Sequence, residues 1–347
     1  MNKKLLAVAV GAVLSAGAMV TVQADTTVYG HFHLSYDRTD NDVAKESAMA
    51  NNSSRFGIKG DEDLGGGMKA IYQIESGIFN VDDGAGGLGA TLRNTFVGLS
   101  GAWGAAKLGR HDTPTKDLGR AIDRFNEQVG DARNLIGNKG NFDSRVSNMV
   151  RYESPKIAGG LTFNALHTSN NGAELGPNTA EKVTSANVIW NQGPVFAGVA
   201  YQTQANTTGT EDPSSIRVAG RFDFGMGDAG AYYEKMKDLS GVDGRDQSVY
   251  GVFGSVKFAG AFRVKGQYYK ADDVDNTAAV DGAKMYAVGL NYDIGKKTQI
   301  YTNYAKTKND SGANYAVTSG PGGHGESLTV ANGNKISAVS VGMIIDF

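Results

Sequence analysis

Basic side chains recur at even spacings in segments that alternate apolar and polar residues. Arg55 shares its row with Lys59 in the segment SRFGIKG, and Arg145 shares its row with Arg151. Residues an even number of positions apart in a strand point to the same face. The pattern therefore predicts polar surfaces that carry several cations, and such surfaces attract and orient ions.

A second charged segment, 112–144, is rich in acids. Asp117 lies near its start, and Asp123, Glu127 and Asp131 follow at intervals of four residues. If this segment is helical, that spacing aligns the last three carboxylates on one face. Lysine and arginine residues lie among them, so a solvated loop with scattered charge is the alternative.

Two histidines could supply ligands to a metal ion. His31 and His33 are two residues apart and share a strand face. No third ligand is evident near them, so no metal site is predicted. The sequence also has no G-x-S-x-G nucleophile motif. We therefore expect neither an enzyme nor a cofactor.

The elements that would position these residues follow an export signal. Residues 1–24 combine Lys3 and Lys4, an apolar run and a small-residue site that ends at Ala24, which is typical of a secretory signal peptide. The remaining residues, 25–347, contain no apolar run long enough for a membrane-spanning helix. A formal charge of −2 without a basic block argues against nucleic acid as a partner.

The rest of the chain is dominated by alternation of period two. About sixteen stretches alternate apolar with polar side chains, and most have the length of a tilted membrane-spanning strand. The last one, ISAVSVGMIIDF, places Val339, Val341, Met343 and Ile345 in one row and ends on Phe347. Such a row would face lipid, with the final ring at the membrane interface.

The connections between these stretches alternate between short turns and long polar links, such as those near 38–52, 112–144 and 307–335. An antiparallel meander puts all short turns at one rim and all long loops at the other, as in outer-membrane barrels. A soluble sandwich would need a polar outer face and protected edges. We therefore predict an all-β fold, a 16-stranded antiparallel transmembrane β-barrel whose interior is too wide for side chains to fill.

The stretch SSRFGIKGDEDLGGGMKAIYQIESGIF resembles the general diffusion porins of Gram-negative bacteria. That family carries Ser-Arg-x-Gly-x-Lys-Gly, an acidic Leu-Gly turn and a returning strand that ends in Gln-x-Glu. LRNTFVGLSGAWGAAKLGR, SRVSNMVRYESP and the terminal Phe347 are also similar to it. The resemblance implies a homotrimer in outer-membrane lipid, a third loop folded into each barrel, and a membrane-insertion signal at Phe347.

The resemblance also implies a charged constriction. By position, 112–144 matches the third loop. Its acidic side would consist of Asp117, Asp123, Glu127 and Asp131, and the basic wall of Arg55, Arg93, Arg145, His31, Lys59 and Arg151. The implied function is a water-filled channel for passive diffusion of ions and small hydrophilic solutes, whose charges set size and ion selectivity. The loop acids favour cations and the arginines favour anions, so the preference stays open.

Two other functions remain open on the sequence. One is a substrate-selective channel of the same fold, whose conductance would fall when its solute binds. The other is an outer-membrane adhesin or receptor barrel whose function lies in loops such as 307–335.

Overall fold

The computed structural model describes residues 25–78, 88–169, 182–205, 209–318 and 328–347. The predicted signal peptide, 1–24, lies outside the described residues. Within the described part of the chain, no helix is long and apolar enough to cross a membrane.

Eighteen strand segments of the described residues form one antiparallel sheet. In chain order they are β1 (Asp25–Asp40), β2 (Lys45–Asn51), β3 (Arg55–Gly65), β4 (Met68–Ile78), β5 (Leu88–Leu92), β6 (Thr95–Gly101), β7 (Gly104–Asp112), β8 (Arg145–Glu153), β9 (Leu161–Thr168), β10 (Val183–Gln192), β11 (Val195–Gln204), β12 (Ser214–Asp223), β13 (Gly227–Lys237), β14 (Gln247–Phe258), β15 (Phe262–Ala271), β16 (Ala283–Asp293), β17 (Thr298–Asn309) and β18 (Lys335–Asp346).

Two of the barrel strands are interrupted. One half of β1 pairs with β3 and the other half with β2, so β2 and β3 are one strand broken at 52–54. In the same way β4 pairs with both β5 and β6, which are separated at 93–94. When each interrupted pair is counted once, the eighteen segments give the predicted closed barrel of 16 antiparallel strands.

The barrel closes between β1 and β18, which pair in antiparallel register. Beyond β18, the N–H of Phe347 donates to the carbonyl oxygen of Gly30 at 3.1 Å, and its ring stacks on Phe32 with centroids 6.1 Å apart. A Cβ at position 30 would lie 2.2 Å from the Phe347 ring. A side chain at position 30 would therefore displace the Phe347 ring from the seam.

The two faces of the sheet differ as the alternation predicts. On β18, Val341 is 59% exposed, whereas the neighbouring Ser340 is fully buried. On β12, Val218 is exposed on the outer face and Arg217 is buried on the inner face. An apolar outer face and a polar inner face suit a closed barrel with lipid outside and water inside.

The prediction of a long loop at 38–52 is wrong. In the structure, β1 continues to Asp40 and β2 begins at Lys45, so the connection is only 41–44. Asn41 stabilises this tight turn because its Oδ1 accepts the N–H groups of Val43 and Ala44 at 3.1 and 2.7 Å. The other connections alternate in length as predicted.

The connection between β7 and β8, 113–144, folds into the barrel. It begins with helix α1 (Pro114–Ile122) and contains a 3-10 turn at Ala132–Asn134. Thr113 caps the helix by accepting the N–H of Lys116. The loop's apolar residues form a core with inward-facing wall residues: Leu118, Ile122, Leu135, Ile136 and Phe142 pack with Phe196, Ala200 and Ala219.

Candidate functional site: a charged network inside the barrel

One side of the inward loop is attached to the barrel wall by buried ion pairs. Arg217 of β12 is fully buried and lies 2.8 Å from Asp143 of the loop and 2.8 Å from Glu234 of β13. It also donates a hydrogen bond to the carbonyl oxygen of Thr115 at 3.0 Å. This arginine therefore joins both ends of the loop to two neighbouring strands.

The tip of the loop rests on β15 to β17. Gln267 donates to the carbonyl oxygen of Gly130 at 2.7 Å, and Asn303 donates to Oε1 of Gln128 at 2.8 Å. Gly130 has a φ of 89°, and a Cβ there would lie 2.7 Å from that of Ala287. Only glycine allows this close approach of loop and wall.

Glu127 extends from the other side of the loop towards β1 to β8. Nη1 of Arg55 donates to both of its carboxylate oxygens, at 2.9 and 2.8 Å. Nη2 of Arg93 and Nη2 of Arg120 lie 3.6 and 3.7 Å from the same carboxylate. Glu127 has a φ of 60°, an uncommon conformation for a non-glycine residue. Asp131 stabilises it by accepting the Glu127 N–H at 2.8 Å.

A second carboxylate, Asp112 at the end of β7, continues the cluster. It lies 3.2 Å from Lys116, 3.1 Å from Arg120 and 3.1 Å from Arg145. Arg120 therefore links Asp112 to the Glu127 carboxylate. We call the connected side chains the charged network: Arg55, Arg93, Arg120, Arg145, Lys116, Glu75, Asp112 and Glu127.

The charged network has a positive excess of two, from five cations and three carboxylates. Its carboxylates are only 1–10% exposed, whereas its four arginines are 11–27% exposed. Within the charged network, water and solutes therefore meet guanidinium groups more than carboxylates. This arrangement suits electrostatic interaction with passing ions.

The strand interruptions position two of these arginines. Arg55 directly follows the break at 52–54, and Arg93 lies in the break at 93–94. The alternation of apolar and polar residues could not predict whether the Arg93 side chain points into the barrel. The break changes which sequence positions face inward. Nε of Arg93 lies 2.8 Å from Glu75, which orients the guanidinium towards the network.

Asp123 and Asp131 do not lie with Glu127 on a helical face, so that expectation is wrong. Helix α1 ends at Ile122, and Asp123 accepts the N–H groups of Phe125 and Ala132 at 2.8 and 3.0 Å. Burial and the neighbouring Asp131 raise the pKa of Asp123 to about 8. Both acids stabilise the loop from within, whereas Glu127 reaches the wall.

The remaining predicted residues surround the network at different distances. Asp117 pairs with Arg151 at 2.7 Å beside the network, and the Asp117 side chain is 30% exposed. Nε2 of His31 lies 3.4 Å from Glu127. Lys59 does not join the network; its amine lies 5.2 Å from the ring centre of Tyr29.

Sequence reasoning missed four members of the network: Glu75, Asp112, Lys116 and Arg120. The sequence did contain an indication that Glu75 points inward. Glu75 shares its strand row with Gln73 in the Gln-x-Glu motif of the stretch that resembles the porins. The other three lie in or next to the inward loop, where no alternation indicates direction.

Comparison with known proteins decides the family. Residues 6–312 match the Gram-negative porin family. The chain belongs to this family. It is therefore an outer-membrane porin, and its barrel is a channel for passive diffusion. The porin is 28% identical to outer membrane porin protein 32 of Delftia acidovorans over 329 residues, which cover 89% of this chain and 90% of the relative.

Solved structures share the porin's fold. The structure described as an anion-selective porin from Comamonas acidovorans superposes with a TM-score of 0.81 at 24% identity, covering 94% of this chain and all of that one. A trimer form of OmpT from Vibrio cholerae gives a TM-score of 0.70 at 15% identity, covering 93% and 99%. At these identities the likeness concerns the fold.

Proposed function

We propose that the charged network is the constriction of this porin and that it favours the passage of anions. The observation that carries the proposal is the difference in exposure between its two signs of charge. Its arginines are partly exposed inside the barrel, whereas its carboxylates are more deeply buried in the same ion pairs. A dissolved anion therefore meets positive groups at the point where the inward loop narrows the barrel.

The mechanism needs no conformational step. The loop reduces the cross-section, and the guanidinium groups replace part of the hydration shell of an anion without binding it tightly. Cations experience repulsion over the same distance, which salt screens beyond about 10 Å at 0.1 M. His31 contacts the network through Glu127 while its Nδ1 bonds Asp346 at 2.6 Å. If the carboxylate of Asp346 is counted with the charged network, the network still has more positive than negative groups.

The reversal potential across a KCl gradient in planar bilayers tests this proposal. Arg55→Gln combined with Arg145→Gln removes the positive excess and should shift the potential towards cations. Each unit charge about 4 Å from an ion changes the ion's energy by about 1 kcal/mol in water, which corresponds to a roughly fivefold change in permeability for each arginine removed.

Glu127→Gln removes a negative charge instead, and it should shift the reversal potential towards anions. Arg245→Gln, in the connection 238–246 between β13 and β14, is the matched control and should change nothing. Unchanged selectivity in both network variants would show that ions do not pass this cluster.

We also propose that the porin assembles as a homotrimer in outer-membrane lipid and acts without an enzymatic step. The trimer form of a protein with the same fold supports this assembly. Light scattering in detergent tests it, and a mass of one chain in conditions that preserve conductance would contradict it.

A further inference from the structure

We propose that His31, His33 and Glu127 form a binding site for a transition-metal ion such as Zn²⁺. One ligand atom from each of the three residues lies within 4.8 Å of the other two. Two imidazoles and a carboxylate are ligands that zinc prefers. The two histidines come from β1, and the inward loop supplies the third ligand that the sequence alone could not identify.

The distances suit coordination after a small adjustment. Nε2 of His31 lies 3.4 Å from Oε2 of Glu127. Two ligands of a tetrahedral zinc ion, each bonded at about 2.0–2.1 Å, lie roughly 3.3 Å apart. His31 and His33 project from one strand face with ring centroids 5.7 Å apart, and one ring nitrogen of each lies within 4.8 Å of the other and of a Glu127 carboxylate oxygen.

Each of the two histidine ligands also has an outer hydrogen-bond partner. Nδ1 of His31 bonds Asp346 at 2.6 Å, and Nε2 of His33 bonds the Tyr301 hydroxyl at 2.8 Å. A histidine that donates from one ring nitrogen presents the lone pair of the other, and this arrangement recurs around protein-bound metals. When the Nδ1 proton of His31 points to Asp346, its Nε2 lone pair faces Glu127.

The surroundings leave room for the rest of a coordination sphere. A cavity of about 450 Å³ is lined by all three proposed ligands together with Asn126 and Thr298. Water could occupy the fourth position, as it does in open zinc sites. Arg55, Lys296 and Lys297 also line this cavity and oppose a cation. Three carboxylates of the same lining, those of Glu127, Asp293 and Asp346, carry an equal negative charge.

Metal binding is tested directly on the purified, folded porin by calorimetric titration with Zn²⁺, with Mg²⁺ as a hard-cation control. We expect one saturable Zn²⁺ site per chain and no Mg²⁺ binding, because imidazole ligands do not suit Mg²⁺. His33→Asn should abolish the Zn²⁺ site. His167→Asn, on the exposed face of β9, is the matched control and should retain it.

If His33→Asn fails to fold, Glu127→Gln provides the second variant, since it keeps the shape of the side chain. Absence of saturable Zn²⁺ binding to the unmodified porin, or retention of full binding in a folded His33→Asn or Glu127→Gln variant, would overturn the site.

The effect on ion passage rests on the proposed constriction and is measured separately. Bound Zn²⁺ adds positive charge beside Arg55, so micromolar Zn²⁺ should shift the reversal potential further towards anions in the unmodified porin and in His167→Asn. His33→Asn should not respond. Calorimetric binding without any shift would support the metal site and count against the constriction.

Discussion

The two sides of the inward loop are held in opposite ways. The side facing β10 to β17 is buried, apolar and tied by fully desolvated ion pairs around Arg217. The side facing β1 to β8 meets the wall through the partly exposed charged network centred on Glu127 and Asp112. Burial therefore fixes the position of the loop, and exposed charge remains available to act on ions.

The buried side should be the more sensitive of the two. Arg217→Ala removes the guanidinium that pairs with the buried carboxylates of Asp143 and Glu234, and breaking a buried ion pair typically costs about 3–5 kcal/mol. We expect the loop to detach and single-channel conductance to rise, together with a lower temperature of unfolding on gels.

Arg245→Ala, in an external connection, is the control for that variant and should behave like the unmodified porin. Unchanged conductance and heat stability in Arg217→Ala would mean that burial does not hold the loop, and the contrast between its two sides would fail.

A smaller effect is expected where the loop tip touches the wall. Gly130→Val places side-chain atoms against Ala287 and Ala305, within 2.7–2.9 Å at the Cβ alone. Overpacking of this kind costs roughly 1–3 kcal/mol, so the tip should move towards the lumen and lower the conductance. Gly266→Ala, whose Cβ would meet only a carbonyl oxygen at 3.7 Å, should leave conductance unchanged. Equal conductance in both variants would show that the tip does not depend on close packing.

The smallest effect concerns pH. Burial and Asp131 raise the pKa of Asp123 to about 8, well above its ordinary value, so the folded loop retains a proton that the unfolded chain releases. Stability from this proton is fully present at about pH 4 and below, and it is lost progressively as pH rises to about 8. Open-channel current noise should therefore increase from about pH 5 to about pH 8 as the loop loosens, and level off above that range.

Asp123→Asn should remove that increase, whereas Asp243→Asn in the external connection 238–246 should keep it. If Asp123→Asn retains the full pH response, another group is responsible.

Sequence reasoning was most successful where one face of a strand is fixed by its surroundings. The alternation in β18 gave the outward direction of Val341, and the pattern around Arg55 gave its inward direction. It failed in the inward loop, because Phe125 and Val129 pack on Ala287 and Ala305 and end the helical spacing expected for the acids. Tertiary packing determines the conformation of this segment, and the spacing of residues along the sequence does not reveal such packing.

The interruptions of the strands could not be predicted from the sequence either. Arg93 occupies a break whose position depends on how β4 pairs with two segments, so parity along the sequence could not indicate its direction. The role of Phe347 as an insertion signal and the signal peptide at 1–24 stay predictions.

The seam between β1 and β18 has a consequence for the order of assembly. His31 and Asp346 are bonded across it although they lie 315 residues apart. Contacts between such distant residues form late, because closing so long a segment costs the most entropy before any contact repays it. Until then both terminal strands expose unpaired edges that invite pairing with other chains. The polypeptide should therefore depend on periplasmic chaperones that prevent aggregation until it reaches the membrane.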